Sequence, residues 1–340
     1  MAVPWLDGGK GSALGLGCAS LGNLYRAVSD QDSRTVVDAA WAAGMRYFDT
    51  APFYGFGLSE RRVGDALRTR PRAEYVLSTK VRRILDPDDS PDLAAVRMGF
   101  TSPMPFRPRY DYSYDGIMRS HEASLQRLGL ARIDILLVHD IGRMTHGADN
   151  DRHFRTLAEG GYRALDELRA AGDITAVGLG VNEWEVCEEA MKIGRFDSFL
   201  LAGRYTLLEQ EPVEQFFPLC QAYGASIILG GAYNSGILAT GTQGGGEIHY
   251  NYAPAPPDVI AHTRRIEDIA DAHGVTLAAA ALQFPLAHPV VRSVIPGIGD
   301  ARRVGQTMAL FEEKIPAAFW ADLRVAGLIA AAAPVPDGAR

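Results

Sequence analysis

The chain has 340 residues, 47% of them apolar and 22% charged, and a formal net charge of −7. That composition suits a globular protein with a large core, and the negative balance argues against nucleic acid or an anionic membrane as the main partner. Three cysteines (Cys18, Cys187, Cys220) without paired spacing suggest neither a disulfide framework nor a zinc cluster.

The opening MAVPWLDGGKGS lacks an apolar core of signal-peptide length, and no run approaches the roughly 18 apolar residues of a membrane span. A soluble, cytoplasmic protein acting on a small molecule is therefore expected. LGLGCAS (14–20) reads as a first strand. DSRTVVDAAWAAG (32–44) follows with apolar residues at helical spacing, an Asp start signal and a Gly stop. MRYFDT (45–50) reads as strand two, SERRVGDALRTR (59–70) as a helix opened by Ser59, and EYVLSTKV (74–81) as strand three. Residues 82–113 break the rhythm with Pro87, Pro91, Pro103, Pro105 and Pro108, and predict a long irregular loop or flap.

The alternation then resumes. SYDGIMRSHEASLQRLG (113–129) predicts a helix stopped by Gly129, and IDILLVHD (133–140) strand four. A loop rich in Gly, Asp and His leads to a helix at 162–172. TAVGLGVN (175–182), FDSFLLAG (196–203), ASIILGG (225–231) and RSVIPG (292–297) supply strands five to eight. Helices are expected at 183–193, 212–223, 258–273 and 301–314, with a closing helix over 318–333. Eight strands alternating with helices predict a single closed (β/α)8 TIM barrel over 1–340, with long loops at the C-terminal face. A doubly wound open sheet is the competing architecture.

Four motifs are set aside. Gly15-Leu16-Gly17 lacks the third glycine of a dinucleotide fingerprint, and Gly9-Lys10-Gly11-Ser12 lacks P-loop spacing and a preceding strand. Asp86-Pro87-Asp88-Asp89 reads as a solvated loop, and His146 and His153 lack metal-ligand spacing, so no metal is expected.

Three consecutive strands end in an ionisable residue directly after apolar ones: Asp49, Lys80 and His139, with Tyr54 in the loop after Asp49. In a barrel those ends share one rim, where active sites are built. Each residue alone has an ordinary structural reading: a cap, a solvated amine, a core histidine, loop packing. Together they suit proton transfer at a carbonyl or alcohol. A phenol of pKa near 10 is a poor acid or base at neutral pH, a neighbouring ammonium favours its phenolate, and a carboxylate holds the ammonium in place. The accompanying hydride requires a cofactor, because no side chain supplies one.

FDTAPFYGFGLSERRVGDAL (48–67), with STK (78–80) and LLVHD (136–140), resembles the aldo-keto reductase superfamily, over about Leu14 to Leu310. The resemblance implies that Asp49, Tyr54, Lys80 and His139 form a catalytic tetrad with Tyr54 as proton donor or acceptor. DYSYDGIMRSHEASLQRLGLARIDILLVHD (111–140) is most similar to the branch containing L-fucose or D-threo-aldose 1-dehydrogenase, L-galactose dehydrogenase and pyridoxal 4-dehydrogenase. It further implies an extended nicotinamide dinucleotide across the barrel mouth. Asn182 would hold the nicotinamide amide, with Arg204 and Tyr205 after strand six. Gly230 takes the place of the usual stacking tyrosine, with Tyr233 three residues later. Gly297, Arg303, Gln306 and Thr307 match the phosphate and adenine segment. Gly297-Ile298 stands where NADP-preferring members carry a lysine and a hydroxyl residue, so NAD is expected over NADP.

NAD preference suits oxidation, and the branch points to a cyclic hemiacetal, aldose or pyridoxal, converted to its lactone. Tyr25, Phe106, Tyr110 and Trp184, with Tyr112, are the candidates for walling the substrate ring. An NADPH-dependent reductase of small aldehydes or ketones and a non-catalytic nucleotide-sensing subunit are the alternatives. No obligate protein partner is evident.

Overall fold

A computed structural model describes residues 13–89, 92, 94–244 and 246–337; the Gly9-Lys10-Gly11-Ser12 motif lies outside them. The architecture is the expected barrel. Its strands are β1 (Leu16–Gly17), β2 (Tyr47–Asp49), β3 (Val76–Val81), β4 (Ile135–His139), β5 (Ala176–Val181), β6 (Ser198–Ala202), β7 (Ser226–Gly230) and β8 (Val291–Ile295). They form one eight-stranded sheet in chain order, with every pairing parallel. Parallel bridges from Leu14 to Val294 and from Gly17 to Gly297 join β1 to β8 and close the ring.

Strand alternation sorts the side chains into two cores. Tyr47, Ile135, Leu137, Ala176, Leu200, Ile228 and Ile295 fill the barrel interior. The opposite parity packs outward against the helices, as with Phe48, Leu77, Leu136, Val177, Phe199 and Leu229. Helix ends follow local chemistry: Ser29 accepts from the Asp32 amide (3.0 Å) before the helix Asp30–Ala42, and Ser113 accepts from Gly116 (3.1 Å) before Tyr114–Leu128.

Four expectations need correction. Residues 82–113 are not wholly irregular, because Arg83–Pro87 pairs antiparallel with Phe106–Tyr110 and Val96–Arg97 with Phe100–Thr101. Pro87 and Pro108 lie within this ribbon, which pairs in register across them; Pro91 lies outside the described residues. The loop before residue 162 is helical from Asn150–Thr156 through a wide turn at Leu157–Gly161. The closing helix spans only Ala317–Val325, ending where Gly327 takes φ 69°. A helix at Leu277–Gln283, alanine-rich and buried from Ala278 onward, was not expected.

Candidate active site

The register of the first four strands builds the site. Asp49 lies opposite Ser78, and Lys80 follows two residues beyond; Lys80 lies opposite Leu137, and His139 follows two residues beyond that. Each strand therefore advances the inward-facing position by two residues, which keeps Asp49, Lys80 and His139 on the parity of the interior core. Thr79, between them, faces outward and donates to Glu60 Oε1 (2.7 Å).

Lys80 Nζ donates to Asp49 Oδ2 at 2.7 Å and to the Thr50 carbonyl at 2.9 Å, with the paired side chains 1% and 3% exposed. Ser78 Oγ donates to Asp49 Oδ1 (2.6 Å), so the Tyr47 hydroxyl, 2.9 Å from Ser78 Oγ, supplies the proton of that contact. Both carboxylate oxygens are thus engaged. A buried pair so satisfied is held rigidly, whereas losing one partner would strand the other charge.

Tyr54 is carried over this pair by a loop with little freedom. A Cβ on Gly22 would lie 2.5 Å from the Tyr54 carbonyl carbon, and one on Gly55, which has φ 65°, would lie 2.4 Å from the Gly22 oxygen. Only glycine permits that backbone approach. The Tyr54 ring centroid sits 4.8 Å from Lys80 Nζ and 5.9 Å from the His139 ring, edge to face. Burial first, then the charge of Asp49, pushes the Tyr54 hydroxyl well above the ordinary phenol range. Burial thus acts against the phenolate in the protein alone. His139 is driven well below the usual imidazole range by burial, then by Arg83, Lys80 and Arg82, and stays neutral. Its backbone carbonyl is held by Arg82 Nε, and its Nδ1 is buried without a partner among the described residues.

These groups open into a cavity of about 430 Å³ lined by Tyr54, Lys80, His139, Asp140, Asn182 and a largely apolar wall. Asn182 directly follows β5; its Nδ2 donates to Asp140 Oδ1 (3.1 Å) and its Oδ1 is buried without a partner among the described residues. That leaves an amide oxygen for a ligand N–H. Tyr25 also lines the cavity. The flap contributes through Met98, Gly99 and Phe100 rather than Phe106 or Tyr110, and Phe100 stands edge-on to Phe53 (5.2 Å). Tyr110 is 39% exposed and stacked by Arg82 (4.3 Å), while Tyr112 is bonded to His146 and Trp184 packs on Phe216. Phe106, Tyr110, Tyr112 and Trp184 are therefore not cavity walls. Phe53, Phe100 and Tyr252, with Asp140, went unnoticed as wall residues in the sequence. The DTAPFYG motif itself contains Phe53, and Asp140 directly follows His139, so for those two the signal was adjacency.

The cofactor candidates divide. Tyr205 is fully buried against Phe217 and Phe284, with no surface left for a ligand, and that assignment is withdrawn. Arg204 donates to Glu209 (2.9 Å) and Asn251, tying the loop after β6 to the ribbon His249–Tyr250/Ala253–Pro254 that presents Tyr252. Gly230 ends β7 with room for a Cβ only 3.4 Å from Leu200, and Tyr233 is partly buried three residues on. Gly297 closes the ring beside Ser20. Beyond it a second cleft of about 300 Å³ is lined by Arg26, Gly299, Asp300 and Arg302. Arg303 and Gln306 are exposed on the adjoining helix Ala301–Glu312 and Thr307 is buried within it; none of the three lines the cleft. Asp300 caps that helix, bonded to Arg302 by backbone and side chain, which holds its carboxyl down at about 2. His146 and His153 stack on each other at 4.2 Å, and no group of metal ligands occurs among the described residues. No described helix is long and apolar enough to cross a membrane.

Comparison with known proteins agrees with this geometry. The family model described as the aldo/keto reductase family matches residues 13–326. The chain is 46% identical to pyridoxal 4-dehydrogenase from Microbacterium luteolum, covering 94% of each chain. It is 39% identical to D-threo-aldose 1-dehydrogenase from a Pseudomonas species, covering 93% of this chain and 94% of that one. The holo form of aldo-keto reductase AKR11C1 from Bacillus halodurans superposes with a TM-score of 0.70 at 26% identity, covering 96% and 97% of the two chains.

Proposed function

As a member of the aldo/keto reductase family and an oxidoreductase, this chain is, we propose, a dehydrogenase that oxidises a cyclic hemiacetal to its lactone, with pyridoxal the first candidate and an aldose such as L-fucose or L-galactose the second. The observation that carries the reading is the Asp49–Lys80 pair beneath Tyr54, opening beside His139 into a cavity large enough for a single ring. The relative named for pyridoxal and the apolar wall of Leu24, Phe53, Met98, Phe100 and Leu200 support an aromatic substrate. The relative named for D-threo-aldose supports the second candidate.

Asn182 Oδ1, the side-chain-free end of β7 at Gly230 and the cleft beyond Gly297 fit a dinucleotide lying across the mouth. When bound, that cofactor supplies the hydride acceptor. The chain's own residues handle the proton. Neutral His139 and the Tyr54 hydroxyl both contact the substrate oxygen, and Tyr54 exchanges a proton with it. Lys80, fixed by Asp49, stabilises the phenolate that oxidation requires. Gly297-Ile298 supplies no lysine for a 2′-phosphate, and the two arginines of the cleft are already engaged, Arg302 by Asp300 and Arg26 by the Gly299 carbonyl, which supports NAD over NADP. The neutral phenol of the protein alone also suits proton donation, and so favours the aldehyde or ketone reductase as the second reading.

Pyridoxal, L-fucose, L-galactose and D-arabinose, each with NAD or NADP, should be assayed at the absorbance of the reduced cofactor. Turnover of at least one hemiacetal with NAD is expected. Absence of all turnover, together with NADPH-dependent reduction of simple aldehydes, would establish the reductase reading instead.

A further inference from the structure

The tetrad leaves one charged group of the cavity unused. Asp140 follows His139, lines the same cavity and adopts a left-handed backbone with φ 42°. A non-glycine residue there costs on the order of 1 kcal/mol or more, and is retained only where the surroundings impose it. Here they do. Arg83 Nη2 donates to Oδ2 (2.6 Å), Asn182 Nδ2 donates to Oδ1 (3.1 Å), and the Arg82 guanidinium lies 3.7 Å from Oδ2. Arg83 is itself pinned over the Phe53 ring at 3.4 Å. The carboxylate cannot swing away, and each oxygen keeps further lone pairs for the cavity.

Its position relative to the reacting oxygen is set by His139. Oδ2 lies 3.4 Å from His139 Nε2, too long for a good hydrogen bond from that nitrogen, so Nε2 is free for the substrate. An oxygen held by Nε2 and Tyr54 therefore has the carboxylate as its neighbour on one side. A second hydroxyl carried next to the reacting carbon would meet an acceptor already fixed and charged.

We propose that Asp140 is a specificity-determining residue that accepts a hydrogen bond from a substrate hydroxyl adjacent to the reacting carbon, selecting hydroxyl-bearing hemiacetals over simple ones. This rests on the hemiacetal-oxidising reading above. In an aldose that hydroxyl is the one on C2. Pyridoxal has no hydroxyl on the carbon adjacent to its reacting carbon, so the contact favours an aldose within the proposed function and disfavours plain aliphatic or aryl aldehydes. Charge-assisted hydrogen bonds of this kind contribute about 1.5–3 kcal/mol, which corresponds to a roughly 10- to 150-fold preference.

The test compares L-fucose with 2-deoxy-L-fucose, and a wild type that oxidises pyridoxal but neither sugar would overturn the inference. Wild type should favour the hydroxylated member by at least about tenfold in kcat/KM. Asp140→Asn and Asp140→Ala should shrink that ratio to within about threefold, mostly by losing activity on the hydroxylated member. The ratio is taken within each variant, so general damage to folding or cofactor binding cancels. A wild type without the preference, or variants that keep it in full, would overturn the inference while leaving the proposed function standing. A wild type inert toward every hemiacetal defeats the proposed function itself and the inference with it.

Discussion

The rim of the barrel is two half-rings of opposite character. Strands β2 to β4 carry Asp49, Lys80 and His139 at or next to their C-terminal ends, each fixed by a buried ion pair or hydrogen bond. Strands β6 to β8 end at Ala202, Gly230 and Ile295, the last followed two residues on by Gly297, with no charge and little side chain. The first half specifies where charge and protons are held. The second half carries no titratable group at its strand ends and has no side chain at Gly230 and Gly297. The proposed proton transfer requires the first to be rigid, and the proposed cofactor would lie against the second.

The contrast can be broken most sharply at Tyr54. Tyr54→Phe should lower kcat by about 10³-fold or more while leaving NAD affinity, read by fluorescence titration, within about twofold. Unchanged kcat would remove Tyr54 from the proton-transfer role. Lys80→Met strands Asp49 in the interior, and should cost about 3–5 kcal/mol of stability in chemical denaturation as well as activity. A loss below about 1 kcal/mol would mean that Asp49 finds another partner.

The pH profile probes the same half-ring. Tyr54 is raised well above its ordinary value, so the phenolate that oxidation uses becomes more populated as pH rises. The oxidation kcat/KM should therefore climb continuously from pH 7 to pH 10 without a plateau, by up to tenfold per unit. His139, held neutral, should contribute no inflection near its usual value. A clear break at about pH 6.5 would contradict that assignment. The smallest effect belongs to the second half. Gly297→Lys should bring kcat/KM for NADP toward that for NAD by roughly tenfold, without changing kcat for NAD by more than about twofold.

The first half-ring was legible in the sequence because its residues break an apolar pattern: a charge directly after a buried strand run is conspicuous, and three in succession share a rim only if the sheet closes. The second half-ring was harder to read. Glycine and alanine at a strand end carry no chemistry of their own, so Gly230 and Gly297 drew attention only through resemblance. Tyr205 misled for a related reason: a tyrosine beside a strand end looks functional, but its ring turns outward into the helical layer. The wall residues were assigned to the wrong part of the flap. Proline density signalled disorder of pattern, yet the ribbon Arg83–Pro87/Phe106–Tyr110 pairs regularly and sets Met98 and Phe100, not Phe106 or Tyr110, at the cavity. Pairing between distant segments leaves no local signature that a single sequence displays.

The two-residue advance from Asp49 to Lys80 to His139 also bears on how the molecule comes to be active. A slip of one residue at β3 would turn Thr79 inward and Lys80 out, removing the interior cation and breaking the Thr79–Glu60 contact at once. A one-residue slip at β3 therefore separates Asp49 from the cation it holds. During refolding, recovery of turnover should therefore lag behind recovery of helical signal and coincide with ring closure between β1 and β8, which makes catalysis a direct readout of correct assembly.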